Sequence, residues 1–358
     1  MLKKTRRALA LTALVLVAGF GGLAFVPGEV DPVAWTPATT MPLEGALAPN
    51  NRLQAAQPVA RGELYGPEDI DVDSEGRFYA ALEDGRIARV TADGAVEDWV
   101  NTGGRPLGMD FDPTGNLVVC DALKGLLSIA PDGTVTTLAT EADGLAFGFA
   151  DDVDVGSDGV IYFSDASWRW KYPNFMNDLF ESKPYGRLLR YDPRQGEAEV
   201  LADSLYFANG VALSSDESFV LVNETFRGRI SRVWLRGPKT GTRDVFAEGL
   251  PGYPDGVASD GRGKFYVAMG SITNPVGAFV APRPWIRRLI SRLPSALWPK
   301  PIRYGLVIIF NEAGEVVETL HDPDSETVFE VTSAQPSFKG LLLGNLHDDA
   351  FYVLPPAQ

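Results

Sequence analysis

A strand–turn–strand unit that returns along the chain at a near-regular distance constrains the fold more than any other feature. Asp69-Ile70-Asp71-Val72 leads into the turn Asp73-Ser74-Glu75-Gly76 and then Arg77-Phe78-Tyr79-Ala80. Gly108-Met109-Asp110-Phe111, Asp112-Pro113-Thr114-Gly115 and Asn116-Leu117-Val118-Val119 repeat it, as do Asp152-Val153-Asp154-Val155, Gly156-Ser157-Asp158-Gly159 and Val160-Ile161-Tyr162-Phe163. Weaker copies surround Ser215-Asp216-Glu217-Ser218, Asp260-Gly261-Arg262-Gly263 and Phe338-Lys339-Gly340. The turn positions 76, 115, 159, 218, 263 and 340 lie 39, 44, 59, 45 and 77 residues apart. A period of about 40–45 residues is that of a four-stranded propeller blade. The two long intervals carry insertions at 168–186 and 271–304.

Six units predict an all-β, six-bladed propeller over residues 53–356. The last unit leaves room for only three strands. Residues 57–64 are therefore expected to supply the fourth and close the ring, which removes open sheet edges. A length of 358 residues would by itself suggest about two domains, but the repeats join them into one. A net charge of −15 argues against a nucleic-acid partner. The single cysteine, Cys120, lies in the apolar run Leu117-Val118-Val119-Cys120 and reads as a buried, inert thiol.

Lys3, Lys4, Arg6 and Arg7 precede an uncharged stretch from Ala8 to Val26. As a helix this stretch would span about 28 Å, near the hydrocarbon thickness of a bilayer. Residues 1–26 are read as a signal anchor, with the domain on the extracytoplasmic (periplasmic or luminal) side; a cleaved signal peptide is the alternative. Residues 27–52, rich in Pro, Ala and Thr, are read as a tether.

Inner strands of a propeller begin around one mouth of its central channel. Aligning those starts puts Glu68, Asp151, Asn209 and Asp255 at one point of their repeats. Three carboxylates and an amide oxygen are hard donors that suit Ca²⁺ or another divalent cation; alternatively, each only caps a turn. Zinc is a poor fit, because the two histidines, His321 and His347, have no Cys/His ligand spacing around them. No G-x-S-x-G elbow is present.

His321 follows the strand Glu315–Thr319 and is placed on the metal face, either as general base or substrate contact or as a rim histidine bonded to backbone. His347 is expected in a bottom or outer turn. Asp165 either reaches the channel mouth or serves a turn. The aromatic insertion at 168–186 either roofs the pocket or covers a blade edge. Gly261 to Asn311 holds no Asp or Glu but eight Lys/Arg. Within it, Trp285, Ile286, Leu289, Ile290 and Leu293 recur at helical spacing, with Arg287, Arg288 and Arg292 on the other face. Such a helix over 285–293 either lies on a membrane surface or packs on the propeller.

Gly186-Arg187-Leu188-Leu189-Arg190-Tyr191-Asp192-Pro193, Phe207-Ala208-Asn209-Gly210-Val211-Ala212-Leu213-Ser214 and Leu250-Pro251-Gly252-Tyr253-Pro254-Asp255 resemble the strictosidine-synthase-like family, above all its adipocyte plasma membrane-associated branch. Arg283-Pro284-Trp285-Ile286 and Leu320-His321-Asp322-Pro323-Asp324 extend the resemblance, which covers about residues 40–355. The wider superfamily includes gluconolactonases, the senescence marker protein and paraoxonases. The resemblance implies a six-bladed propeller with a calcium-type site, with Glu68, Asn209 and Asp255 in the positions of the metal Glu, Asn and Asp. Asp151 stands where an Asn is frequent. The last inner strand reads Ser333-Ala334-Gln335-Pro336-Ser337 where strictosidine synthases carry a Glu, which argues against amine–aldehyde condensation. Asp255 is followed by Gly256, as in the lactonase branch, and the paraoxonase-type His pair has no counterpart.

The expected function is metal-dependent hydrolysis of lactones or aryl esters. The cation would polarise the carbonyl, and Asp255 or Asp151 would activate water. The rival is a non-catalytic, membrane-anchored binding or scaffold propeller with a structural metal.

Overall fold

A computed structural model describes residue 22, residues 26–91 and residues 94–356. Six antiparallel four-stranded sheets follow one another along the chain. Their inner strands are Ile70–Val72, Pro106–Phe111, Ala150–Val155, Ala208–Leu213, Gly252–Ser259 and Val331–Ser337. Each inner strand touches both of its neighbours, and the last touches the first, so the ring is closed. Closure is completed by Gln57–Val59, which pairs antiparallel with Phe351–Leu354 and becomes the outermost strand of blade six.

The blades are built by local turn chemistry and by burial between neighbours. At the turn of blade one, Asp73 accepts hydrogen bonds from the N–H groups of Glu75 (2.9 Å) and Arg77 (3.0 Å). Asp112 does the same for Thr114 and Asn116 in blade two. Gly76 and Gly115 take φ of 81° and 89°, a region that favours glycine. Middle strands are covered on both faces by adjacent blades, which is why Phe219–Glu224 is buried along its whole length. Apolar clusters fill the wedges between blades. Phe219, Phe246, Phe265 and Phe310 occupy the wedge between blades four and five. Cys120 is buried in the second strand of blade two, where burial raises its thiol pKa well above normal.

The insertions are helical. The first holds the short helix Met176–Glu181. The second holds Pro275–Val280, Pro284–Ile290 and the 3₁₀ turn Ser295–Leu297. Both helices of the second insertion open on proline, whose fixed φ suits a first turn. The expected faces of the basic helix are partly inverted. Arg287 is buried, donating to the carbonyls of Phe180, Val33 and Ala281 and to Ser182 Oγ, while Trp285 is exposed. Long-range carbonyl acceptors, invisible to periodicity, supply what a buried guanidinium needs.

Residues 27–52 also differ from a free tether. The N–H groups of Val33, Trp35 and Met41 donate to the carbonyls of Glu181, Ala281 and Gly249, and Leu47 is buried. This segment is a strap laid across the propeller's site face. The expected anchor helix lies almost wholly outside the described residues. Among the described residues, no helix is long and apolar enough to cross a membrane.

Candidate metal centre and cavity

Five inner strands lose register with their neighbour near their start: between Pro106 and Met109, Ala150 and Val153, Ala208 and Val211, Pro254 and Val257, and Val331 and Ala334. A bulge of this kind inserts an unpaired residue and re-aims its side chain. Blade one reaches the same place without one: Glu68 N–H donates to Ala81 O (2.9 Å), and Ala81 N–H to Asp69 O (3.0 Å), just before the strand begins. The residues so presented are Glu68, Leu107, Asp151, Asn209, Asp255 and Thr332. Four of them are those that repeat register picked out; Leu107 and Thr332 complete the ring. Glycine follows Asn209 and Asp255 because the next blade passes close by. A Cβ on Gly210 would lie 2.4 Å from Val257 N, and one on Gly256 2.6 Å from Thr332 O.

Glu68, Asp151 and Asn209 are buried. Desolvation, then the charge of Asp255, pushes the Glu68 carboxyl well up. Desolvation, then Glu68 and Asp255, does the same to Asp151. Burial raises Asp255 to about 7, opposed by the hydrogen bond from Asn209 Nδ2 to its Oδ1 at 2.6 Å. Buried Arg105 draws Glu68 and Asp151 back down and is a positive charge that motif reading missed. One cation does not balance three carboxylates, and Asp151 Oδ2 is buried with no hydrogen-bond partner. Among the described residues, no three His, Cys, Asp or Glu side chains already stand as a metal-chelating group. The fit to a cation therefore rests on the hard-oxygen donor set and on the orphaned Asp151 oxygen, which suit an ion of flexible, partly hydrated coordination such as Ca²⁺.

Two cavities meet at Glu68, Asp151 and Asn209. One, of about 370 Å³, lies on the site face beneath the insertions and the strap. Its wall is largely apolar: Phe149 and Phe175 stand 5.4 Å apart, Phe207 and Phe226 4.4 Å, with Trp35 and Trp298 completing it. The first insertion thus contributes to a roof. The other, of about 330 Å³, follows the channel toward Ser157, Ser215 and Glu217 on the opposite face. It is lined by a ladder of carboxylates. Asp69 accepts from Met109 N–H (2.8 Å), Asp152 from Val211 (2.8 Å), Asp110 from Val155 (2.8 Å) and Asp154 from Leu213 (2.7 Å). Each carboxylate satisfies an N–H of a neighbouring inner strand that its own sheet leaves unpaired. Burial lifts Asp71 to about 7 and Asp154 to about 6. The Asp-x-Asp alternation at 69–71 and 152–154 carried this signal, and reading those residues only as strand missed it.

The remaining candidates lie elsewhere. His321 is on the expected face but at the wrong radius, fully buried in the outermost strand of blade five and lining neither cavity. Its Nδ1 sits 2.9 Å from Tyr304 Oη, and burial lowers its pKa to about 4. His347 is corrected from a bottom or outer turn to the site face. It follows the strand whose end, Asn345, pairs with Val331 at the start of the inner strand, and its Nδ1 lies 2.7 Å from Glu330 Oε2. Asp165 serves a loop. Its Oδ1 accepts from Gly148 and Phe149 N–H, and its Oδ2 from Arg187 at 2.6 Å.

Residues 151–238 match the family model for strictosidine synthase, and residues 45–90 that for the strictosidine synthase-like N-terminal region. Protein strictosidine synthase-like 7 of Arabidopsis thaliana is 37% identical over 302 residues, covering 82% of this chain and 78% of that protein. Adipocyte plasma membrane-associated protein of Rattus norvegicus is 34% identical over 360 residues, covering 94% and 96%. Among solved structures, the gluconolactonase XC5397 of Xanthomonas campestris superposes with a TM-score of 0.61 at 19% identity, covering 92% of this chain and 98% of that one. The calcium-binding protein regucalcin of Agrobacterium tumefaciens gives 0.56 at 15%, covering 83% and 90%. At such identities the structural likeness shows the fold alone.

Proposed function

The chain belongs to the strictosidine synthase-like family, and from that premise we propose that it is a divalent-cation-dependent hydrolase of lactones or aryl esters. The observation that carries this reading is the orphaned, buried Asp151 oxygen among Glu68, Asn209 and Asp255 at the floor of an apolar cavity. Glu68, Asp151, Asn209 and Asp255 would hold the ion. When bound, calcium supplies a Lewis acid toward a carbonyl oxygen.

The chain's own residues do the rest. Asp255 is the carboxylate to take a proton from water, since Asn209 fixes its Oδ1 and its Oδ2 faces Gly270, where a Cβ would come within 2.9 Å. Asp151 is the second candidate for that role. The aromatic wall around Phe149 and Phe175 holds the apolar part of the substrate and keeps bulk water out. Thr332 takes the last position of the ring, so no carboxylate is offered there for amine–aldehyde condensation. The names of the structural neighbours, a gluconolactonase and a calcium-binding protein, agree with this chemistry. The name of the plasma membrane-associated relatives agrees with membrane association, which an anchor over residues 1–26 would supply with the domain on the extracytoplasmic side.

The test is turnover of phenyl acetate and a γ-lactone by the purified full chain, with calcium and after chelation. Turnover that chelation and Glu68→Gln both remove, with the fold intact, supports the hydrolase. Tight calcium binding with no turnover over a broad ester and lactone panel supports a binding or scaffold propeller with a structural metal.

A further inference from the structure

The second insertion has two apolar sides: among the described residues, one walls the cavity and the other is exposed. Val280, Ile290 and Trp298 face inward and wall the cavity. Phe279, Trp285 and Leu297 face outward, 56%, 47% and 64% exposed. Large apolar side chains gathered on an insertion mark an interaction surface more often than chance exposure does.

Two further observations say what covers this face. The first is charge. In a chain of net −15, the stretch from Gly261 to Asn311 has no acidic residue and eight basic ones. Some of these are committed: Arg287 is buried, and Arg288 pairs with Asp31 at 2.8 Å. Arg283 instead lies over the Phe279 ring, 4.0 Å from its centroid, and Lys300 is exposed. Aromatic and aliphatic groups bordered by Arg and Lys suit the boundary between acyl chains and headgroups.

The second observation is where the chain arrives. The uncharged stretch from Ala8 to Val26 is long enough to cross a bilayer as a helix. It ends at Val26, whose carbonyl accepts from Arg292 Nη2 of this same insertion. Whatever lies at the end of that apolar stretch therefore lies against the same insertion that carries Phe279, Trp285 and Leu297.

We propose that the outer face of the second insertion, Phe279, Trp285 and Leu297 with Arg283 and Lys300 at its margin, docks on an anionic lipid bilayer. The propeller then lies against the membrane instead of hanging from it on residues 27–52. This holds whether or not the cavity is catalytic.

The experiment uses the full chain in liposomes of phosphatidylcholine with 0 or about 30% phosphatidylglycerol. Single cysteines replace Phe279, Leu297 and, on the opposite face, Phe338, which is 66% exposed. Each carries an environment-sensitive fluorophore; Cys120 is buried and does not compete. Circular dichroism checks folding. Lipids spin-labelled near the headgroup are expected to quench the labels at 279 and 297 at least threefold more than the label at 338. That ratio should rise with the anionic fraction and fall with salt. Trp285→Glu in the Leu297→Cys chain should lower it. Equal quenching at all three positions would overturn the proposal. So would labels at 279 and 297 already shielded from iodide in detergent and crosslinking chain to chain, since a second copy would then occupy the face.

Discussion

Asn209 Nδ2 donates to Asp255 Oδ1 at 2.6 Å, a bond that crosses from blade four to blade five. The two residues sit in corresponding bulges of adjacent inner strands. Because the amide nitrogen is turned to the carboxylate, the amide oxygen is left for another partner. The bond thus orients two candidate ligands at once, one through its oxygen and one by pinning half of its carboxylate.

Asn209→Leu should therefore cost more than one donor. Asp255 loses the hydrogen bond that draws its pKa down, and its orientation is released. Calcium affinity of the folded variant should fall by about 10- to 100-fold, the range seen when groups that orient ligands are removed. Isothermal titration calorimetry checks this, and an unchanged affinity would place the ion elsewhere.

Asp165 and Arg187 form a buried ion pair. Asp165→Ala should cost about 3–5 kcal/mol, because it strands a buried guanidinium and the N–H groups of Gly148 and Phe149. Urea unfolding measures the loss. Asp165→Leu combined with Arg187→Met should recover part of it, since no uncompensated charge remains.

The channel ladder makes stability depend on pH in an unusual direction. Asp154 moves from 3.8 to about 6 and Asp71 to about 7 on folding, chiefly through burial. The folded state holds these protons to higher pH than the unfolded chain does. Their contribution is fully present below about pH 4 and is lost as pH rises through about 6 and 7. His321, lowered to about 4, acts oppositely: its contribution is lost as pH falls from about 6.5 toward 4. The ladder is isolated by comparing the chain with Asp154→Asn, which keeps an acceptor for Leu213 N–H. In calcium-free buffer the melting temperature of the parent should fall from pH 5 to pH 8, and that of Asp154→Asn should fall less. A tenfold change in proton affinity is worth about 1.4 kcal/mol, and with values of 3.8 and about 6 the Asp154 contribution lost between pH 5 and pH 8 is about one such step, so the parent should lose about 1–2 kcal/mol more than Asp154→Asn over that range. Parallel curves would contradict the charge cost assigned to the ladder.

His321→Phe should leave turnover within about threefold of the parent and its pH profile unshifted. The imidazole is buried against Tyr304 at the outer rim and lines neither cavity. A loss of about 1–2 kcal/mol in stability is expected from the abandoned Tyr304 hydroxyl. Loss of the acid limb of the pH profile would return His321 to the reaction as its general base.

What the sequence discloses follows from how local its cause is. Turns such as Asp73–Gly76 are made by a side chain and the backbone two to four residues on, so their spacing counts blades directly. Glu68, Asp151, Asn209 and Asp255 share a register because the fold repeats it. Leu107 and Thr332 hold the same position with no donor pattern to mark them. Arg105 acts on carboxylates of two other blades, which no motif records. Radius is also hidden: repeat position gives His321 its face of the ring but not its distance from the axis. Composition misleads at the strap, where a Pro- and Ala-rich stretch is ordered by N–H groups of Val33, Trp35 and Met41 reaching carbonyls far along the chain. The same long-range carbonyls turn Arg287 inward.

The cavity wall decides substrate class under the hydrolase reading. Phe175 stands 5.4 Å from Phe149 and 6.0 Å from Phe207 in the aromatic wall, and its side chain carries no donor for a cation. Phe175→Ala should therefore raise KM for phenyl acetate about 10-fold, equivalent to about 1.4 kcal/mol of lost apolar contact. Calcium affinity should not change, and kcat should move less than threefold, because the reacting groups stay in place. By the same logic a polyhydroxylated lactone, whose hydroxyls would lose water against Phe149, Phe207 and Phe226, should be a poorer substrate than an alkyl γ-lactone of similar size. Steady-state kinetics on the three substrates settles the point. A preference for the polyhydroxylated lactone would mean that the aromatic wall is not where substrate binds.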